Sequence, residues 1–394
     1  MSAERAALTL VEANRFIERA TKEIREEEWL IADPTVSVGI LTFRHVDTIR
    51  QCVESVLSQV TAFPFEIIIA DDKSEDGTVE LIQELQQKFP DRIRLLLGRE
   101  NLGQHTGNGR LNLIRLWRAS RGKYFHLLEG DDWWTSPDKL AKQVALMEKH
   151  PECTLCWHRG EVVYDEEVPP EARMLEGVVP PEDYEEVNEG SVLFWSNRCL
   201  TSSVLYRRGI VEDFPEDFLN IRIGDWPLQV LHAREGKVGF IDETLSAYRC
   251  HAAGIWSGKA AFDQVIGFMV VMAEIHDWIP EAHRDTYVEK LGQHLAFPLS
   301  WDKPYQLGAG PGKNLAAVAE ILKVPGVEEA FVEQLETYRS EAQRLSEERE
   351  QKLVAAREQV AKLKGKLEKE RAKIQELKSR PRKKRRWLGI GPKR

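Results

Sequence analysis

Three short apolar runs separated by two amphipathic stretches constrain this chain more than any other feature. VSVGILTF (36–43), FEIIIADD (65–72) and RIRLLLG (92–98) are rich in Val, Ile and Leu, as strands covered on both faces require. HVDTIRQCVESVLSQ (45–59) and DGTVELIQELQQKF (76–89), which separate them, have helical spacing. Strand, helix, strand, helix, strand with short connections implies parallel pairing, with the helices packed across a layered α/β sheet. Ligands of such sheets bind beyond the carboxyl ends of the strands.

Acids stand at those ends. The second strand runs into Asp71-Asp72, and HLLEGDDWWTSP (126–137) runs an apolar stretch straight into Glu129, Asp131 and Asp132 before two tryptophans. Both groups are expected at one crevice, and carboxylates clustered there make a divalent cation the expected guest. The bulk of the chain supports a large fold, since 394 residues at 42% hydrophobic content with 11 Trp supply an ample core.

The formal charge of −9 is unevenly spread: residues 378–394 carry nine Lys or Arg and no acid, so the rest of the chain carries −18. Five cysteines, an odd number, and an N-terminus without an apolar h-region favour a reducing cytoplasm, with any membrane contact peripheral at the inner face. No window approaches eighteen consecutive apolar residues.

Along the chain, residues 1–33 read as a charged helical appendage ended by Asp33-Pro34, and 34–258 as the catalytic-sized domain, with a Pro- and Glu-rich excursion within 151–190. Residues 259–330 read as a helical extension. From 331 to 379 apolar points at Leu335, Tyr338, Ala342, Leu345, Leu353, Ala356, Val360, Leu363, Leu367, Ile374 and Leu377 form a heptad seam with one stutter, predicting a coiled coil and a homo-oligomer. A single solvated helix is the alternative, because Gly365 and many charges weaken the seam. Residues 380–394 form a basic tail with Trp387, Leu388 and Ile390 beside the charge, suited to an anionic leaflet and less to nucleic acid; a solvated tail is the bland alternative.

VSVGILTF, EIIIADDKSEDGT, ENLGQHTGNGR, LLEGDDWWTSPDKLAKQV, IGDWPL and YRCHAAGIWSG, in this order, resemble the family 2 glycosyltransferases over residues 34–258. The resemblance implies the GT-A fold, a Rossmann-like mixed sheet flanked by helices, and a nucleotide-sugar dependent, hexosyltransferase-type activity with inversion. It sets Glu129-Gly130-Asp131 where such enzymes carry D-x-D, so Asp131 would ligate Mg²⁺ or Mn²⁺, Glu129 would reach the ribose or a metal-bound water, and Asp132 would support them. By the same resemblance Asp71 and Asp72 would contact the nucleoside, Asn101, Gly103 and Arg110 would lie near the nucleotide, and His251 would add a metal ligand. Trp256 and Ser257 would close over the diphosphate, and Asp225 would be the general base. Two positions depart from the pattern: Glu129 stands for the first Asp, and Gly224 for the acid before Asp225.

Each motif also has a plain structural reading. Asp71 and Asp72 suit turn chemistry, the 129–132 acids could cap a helix, Asp225 could be an N-cap, and Asn101 with Arg110 could be loop residues. Cys153-x-x-Cys156 with His158 has zinc spacing but no second pair, so buried thiols are expected. The processive Q-x-x-R-W motif and membrane helices are missing, which favours transfer of one sugar, most simply from a UDP-sugar, to a glycan, lipid-linked glycan or protein, with cell-surface polysaccharide biosynthesis as the natural setting. A non-catalytic oligomeric scaffold with a degenerate domain is the alternative. A nucleotidyltransferase fits less well, because GILTFRH (39–45) lacks a glycine-rich basic loop.

Overall fold

A computed structural model describes residues 9–106, 109–166, 168, 184–251, 254, 261–296, 318–319 and 321–334, with single positions at 362, 366 and 369. Its elements in chain order are α1 (Leu10–Ala20), β1 (Thr21–Ile24), β2 (Val36–Thr42), α2 (Ile49–Leu57), β3 (Phe65–Asp71), α3 (Thr78–Lys88), β4 (Ile93–Gly98), α4 (Gly103–Thr106) and α5 (Arg110–Ala119). There follow β5 (Tyr124–Glu129), β6 (Trp133–Trp134), α6 (Lys139–Lys149), β7 (Cys153–Tyr164), β8 (Val187–Asn188), β9 (Leu205–Arg207), α7 (Asp225–Ala233), β10 (Lys237–Cys250), α8 (Ala261–Ile275) and α9 (Glu281–Ala296).

The alternating runs become one mixed sheet in the order β1-β4-β3-β2-β5-β9-β7-β10-β6, with β8 pairing β10. Strands β4, β3, β2 and β5 are mutually parallel, while β1 and β9 pair antiparallel at the two sides of that block. Strand order reverses direction between β2 and β5, the kind of switch point beyond whose strand ends such sheets bind ligands. Register brings the acids together, because Thr42 lies opposite Asp71 across one side of β2 and Leu41 opposite Glu129 across the other.

The expected strands are buried on both faces. Val36, Val38, Ile40, Ile67 and Ile69 pack with Ile49, Val53 and Val56 of α2 and with Ile82 and Leu85 of α3, each fully buried side chain contributing about 1.5–3 kcal/mol. On the opposite face a Cβ at Gly39 would lie 2.8 Å from the Phe125 ring and 3.3 Å from Leu116 of α5, so a glycine is what allows that layer to approach β2.

Within the segment 1–33 expected to be helical, the described part is only partly so. Helix α1 opens on a Thr9/Glu12 capping box and ends at Ala20, after which β1 pairs antiparallel with β4. The cause lies in the tertiary partners: Thr21 Oγ1 donates to the Ile17 carbonyl at 2.6 Å, and Glu23 accepts from the buried Arg94 at 2.8 Å, which holds the chain extended along the sheet edge. Cys153 and Cys156 are buried free thiols at the amino end of β7, as expected.

Residues 1–291 form one compact unit and 292–394 another. In the second, Gly292 lies against Ala330, where a Cβ would meet the Ala330 side chain at 2.8 Å, and residues 327–334 are helical. Apart from 331–334, 362, 366 and 369, the heptad segment 331–379 lies outside the described residues, as does the whole basic tail. Among the described residues no helix is long and apolar enough to cross a membrane.

Candidate active site

Two loops that leave β2 and β3 are laced to one another beyond the strand ends. The Asp71 carboxylate accepts from the Ser74 amide at 2.9 Å and the Ser74 hydroxyl at 2.6 Å, and the Ser74 Oγ in turn accepts from the Arg44 amide at 2.8 Å. The His45 amide donates to Thr78 Oγ1 at 3.0 Å, and the Val46 amide to Asp76 at 3.3 Å. Arg44 and Lys73 take left-handed backbone conformations with φ 57° and 64°, unusual for residues with side chains and a mark of loops whose position is imposed by their surroundings.

Asp71 and Asp72, expected at the nucleoside, are engaged by this scaffold. Burial raises the Asp71 carboxyl, with the Ser74 hydrogen bonds opposing. Asp72 accepts from the amides of Leu102 and Gly103 at 2.6 and 2.9 Å, at the start of α4. Asn101 donates to the Asp72 carbonyl at 3.1 Å and accepts from Gln104, which is loop chemistry of the plain kind.

At the end of β5, Glu129 is half-buried, and its carboxyl is pushed up to about 8 by burial and then by the charges of Asp131 and Asp225. That shared effect brings the strand end and the start of α7 into one electrostatic neighbourhood. Asp131 accepts from His251 Nε2 at 3.0 Å, and His45 Nε2 stands 3.9 Å from the same oxygen. Burial works to raise the Asp131 carboxyl, but the His251 hydrogen bond and the two imidazoles overcome it and hold it below the usual carboxylate range. His251 is raised by the same hydrogen bond, whereas burial lowers His45.

Asp132 is buried, and its carboxyl is pushed well up by burial and by Asp131. One oxygen accepts from the Arg249 amide at 2.9 Å; Oδ2 finds no hydrogen-bond partner among the described residues. Arg249, with its guanidinium 4.9 Å from the centre of the Trp133 ring, also donates to the Asp131 carbonyl and to Gln51, so β10 fastens the acidic loop. The tryptophans after the acids are thereby explained: Trp133 and Trp134 pair with Ala247 and Ser246 as a short strand that turns the loop back over the sheet.

Asp225 is the first residue of α7, so the cap position falls to Gly224 rather than to Asp225. Its carboxylate accepts from Thr201 Oγ1 at 3.2 Å. Arg110, expected near the nucleotide, lies beside this helix start: its guanidinium sits 4.8 Å from the Phe218 ring centre and donates to the Ile221 carbonyl. Burial lowers Arg110 to about 10, with Asp225 and Glu274 opposing. A Cβ at 224 would fall 2.3 Å from that guanidinium, which accounts for glycine where the resemblance expects an acid. Trp256 and Ser257 lie outside the described residues.

The donor set suits a hard or borderline divalent ion. A carboxylate and an imidazole already in contact, beside an unpartnered buried carboxyl oxygen at Asp132, would supply protein ligands while leaving positions for phosphate and water. Asp131 and His251 would hold it. Among the described residues no group of three ligating side chains is already gathered for a metal. His45, which the sequence reading missed, carried no signal beyond following the first strand; its importance depends on loop geometry.

The mixed α/β sheet, with carboxylates at the ends of its parallel strands, has the GT-A fold. Residues 37–214, somewhat under half of the chain, match the family model described as Glycosyl transferase family 2. An uncharacterized protein of Mycobacterium tuberculosis is 36% identical over 222 residues, 56% of this chain and 60% of that protein. An uncharacterized glycosyltransferase of Nostoc sp. is 29% identical over 222 residues, 55% of this chain and 65% of its own length. The chain thus spans about 60% of the length of the curated relatives it matches first. TarS residues 1–349 of S. aureus, solved in complex with UDP-GlcNAc, shares the fold with a TM-score of 0.54 at 17% identity, over 75% of this chain and 83% of that chain.

Proposed function

We propose that this protein is an inverting glycosyltransferase that moves one sugar from a UDP-sugar to a hydroxyl of a glycan, lipid-linked glycan or protein, with Mg²⁺ or Mn²⁺ bound at Asp131 and His251. The observation that supports this reading is geometric: two residues beyond Glu129 of β5, the Asp131 carboxylate meets His251 Nε2 at 3.0 Å, a carboxylate and an imidazole at the end of a parallel strand. The complexes of TarS with UDP-GlcNAc and UDP support a uridine donor on this fold.

A bound cation would offset the charge that grows on the departing diphosphate. Asp225, steadied by Thr201, takes the proton from the attacking hydroxyl on the opposite face. Glu129 offers its carboxyl to the donor, and the loops after β2 and β3 form the floor beneath the nucleotide. The heptad segment 331–379 makes the protein a homo-oligomer, and the basic tail 380–394 holds it peripherally on an anionic inner leaflet near its acceptor.

Thermal-shift or calorimetric titration with UDP, GDP, TDP and CDP, each with and without Mn²⁺, tests this reading on the wild type and Asp131→Ala. Stabilisation by one nucleotide that needs Mn²⁺ and disappears in Asp131→Ala is the expected outcome. Absence of any nucleotide response would turn attention to a scaffold role.

A further inference from the structure

We propose that His45, carried by the loop after β2, is a third protein ligand for the cation held by Asp131 and His251, so that the site is a His–Asp–His set with a preference for Mn²⁺ over Mg²⁺. This inference rests on the donor-site reading above and deepens it.

Both imidazoles address the same atom. His251 Nε2 lies 3.0 Å and His45 Nε2 3.9 Å from Asp131 Oδ2, reached from β10 and from the β2 loop. Ligand atoms about 2.1 Å from an octahedral ion are about 3.0 Å apart when adjacent, which the His251–Asp131 separation matches, while His45 stands about 0.9 Å farther out. Both rings neighbour one carboxylate oxygen, and a bound ion would have to draw His45 in by about 1 Å to make it the third ligand.

His45 is also aimed. Its Nδ1 faces Thr42 Oγ1 at 3.4 Å, which leaves Nε2 turned toward Asp131. Its amide is tied to Thr78, and the neighbouring amides of Arg44 and Val46 to Ser74 and Asp76, so the loop position is set from β3 and α3. Gly130, the middle residue of Glu129-Gly130-Asp131, makes room for the ring: a Cβ there would meet His45 Nδ1 at 2.6 Å and Thr42 Oγ1 at 3.0 Å. The glycine of the acidic motif and the histidine of the first loop thus fit as a pair. Two imidazoles soften an otherwise oxygen-rich site, and imidazole suits the transition ions, whereas Mg²⁺ keeps oxygen ligands and waters.

The test uses the full chain and Mn²⁺ as probe, with and without UDP, following free Mn²⁺ by electron paramagnetic resonance and bound imidazole nitrogen by electron spin-echo modulation. His45→Gln and His45→Ala should each weaken Mn²⁺ binding at least tenfold, change Mg²⁺ binding less, and remove one coordinated nitrogen from the echo signal. Circular dichroism of the metal-free proteins checks folding, and His45→Gln carries the comparison should the alanine variant unfold. Unchanged Mn²⁺ affinity and nitrogen signal in His45→Gln, with loss of binding in Asp131→Ala, would overturn the His45 assignment and leave the donor site standing. No Mn²⁺ binding by the wild type, with UDP bound, would overturn the cation site as a whole.

Discussion

Asp225 and Gly224 carry separate tasks at adjacent positions. Asp225 accepts a side-chain hydrogen bond from Thr201, and because it is the proposed base, Asp225→Asn should lower transfer about 10²–10⁴-fold while nucleotide binding changes little. Measuring turnover and calorimetric affinity on the same preparation checks this; equal loss of both would contradict a role as base. Gly224 answers to packing. Its missing side chain leaves room for the buried Arg110 guanidinium, so Gly224→Ala should destabilise the fold by about 1–3 kcal/mol, read by urea unfolding. The sequence showed the substitution at 224 as a departure from a family pattern. Only the distance to Arg110, more than a hundred residues away, gives it a cause.

The strands and helices of the parallel block were legible from composition and period, because elements buried on both faces admit few residue types. The polar tie at the amino ends of those strands was not. Glu66 of β3, 1% exposed, accepts from Ser37 of β2 at 2.6 Å, Arg94 of β4 at 3.0 Å and Arg121 at 2.7 Å, joining three strands and the turn before β5. Glu66→Ala leaves Arg94 with Glu23 as its remaining carboxylate partner and should cost about 3 kcal/mol, the lower end for breaking a buried pair. Burial works to raise the Glu66 carboxyl, but the bonds from Arg121 and Ser37 and the charges of Arg94 and Arg121 outweigh it, so the folded value lies below the ordinary 4.5. The stabilisation is therefore complete above about 4.5 and lost as pH falls through the lower folded value. In acid titrations followed by circular dichroism, Glu66→Gln should lose less stability than the wild type across that range. β1 teaches the same lesson at the sheet edge, where Glu23 meets Arg94 and a charged segment that looks helical becomes a strand.

For the whole molecule, charge is divided between an acidic body and a tail with nine cations in its last seventeen residues. Removing 378–394 should abolish sedimentation with anionic vesicles at low salt and leave nucleotide binding unchanged; unchanged sedimentation would rule out the tail as an anchor. Sedimentation velocity of the full chain against one ending at residue 330 tests whether the heptad segment sets the oligomer. The sequence by itself determined the layered α/β class, the parallel block and the identity of the acids at its strand ends, since hydrophobic period and strand-terminal residues are local properties. Tertiary structure alone decided what those acids do: that Asp71 and Asp72 brace loops, that Arg110 sits beside the start of α7, and that His45 and His251, one before and one after Asp131 in sequence, approach one of its oxygens. Hydrogen bonding, burial and coordination depend on distances between residues far apart in sequence, and those distances exist only once the sheet has closed.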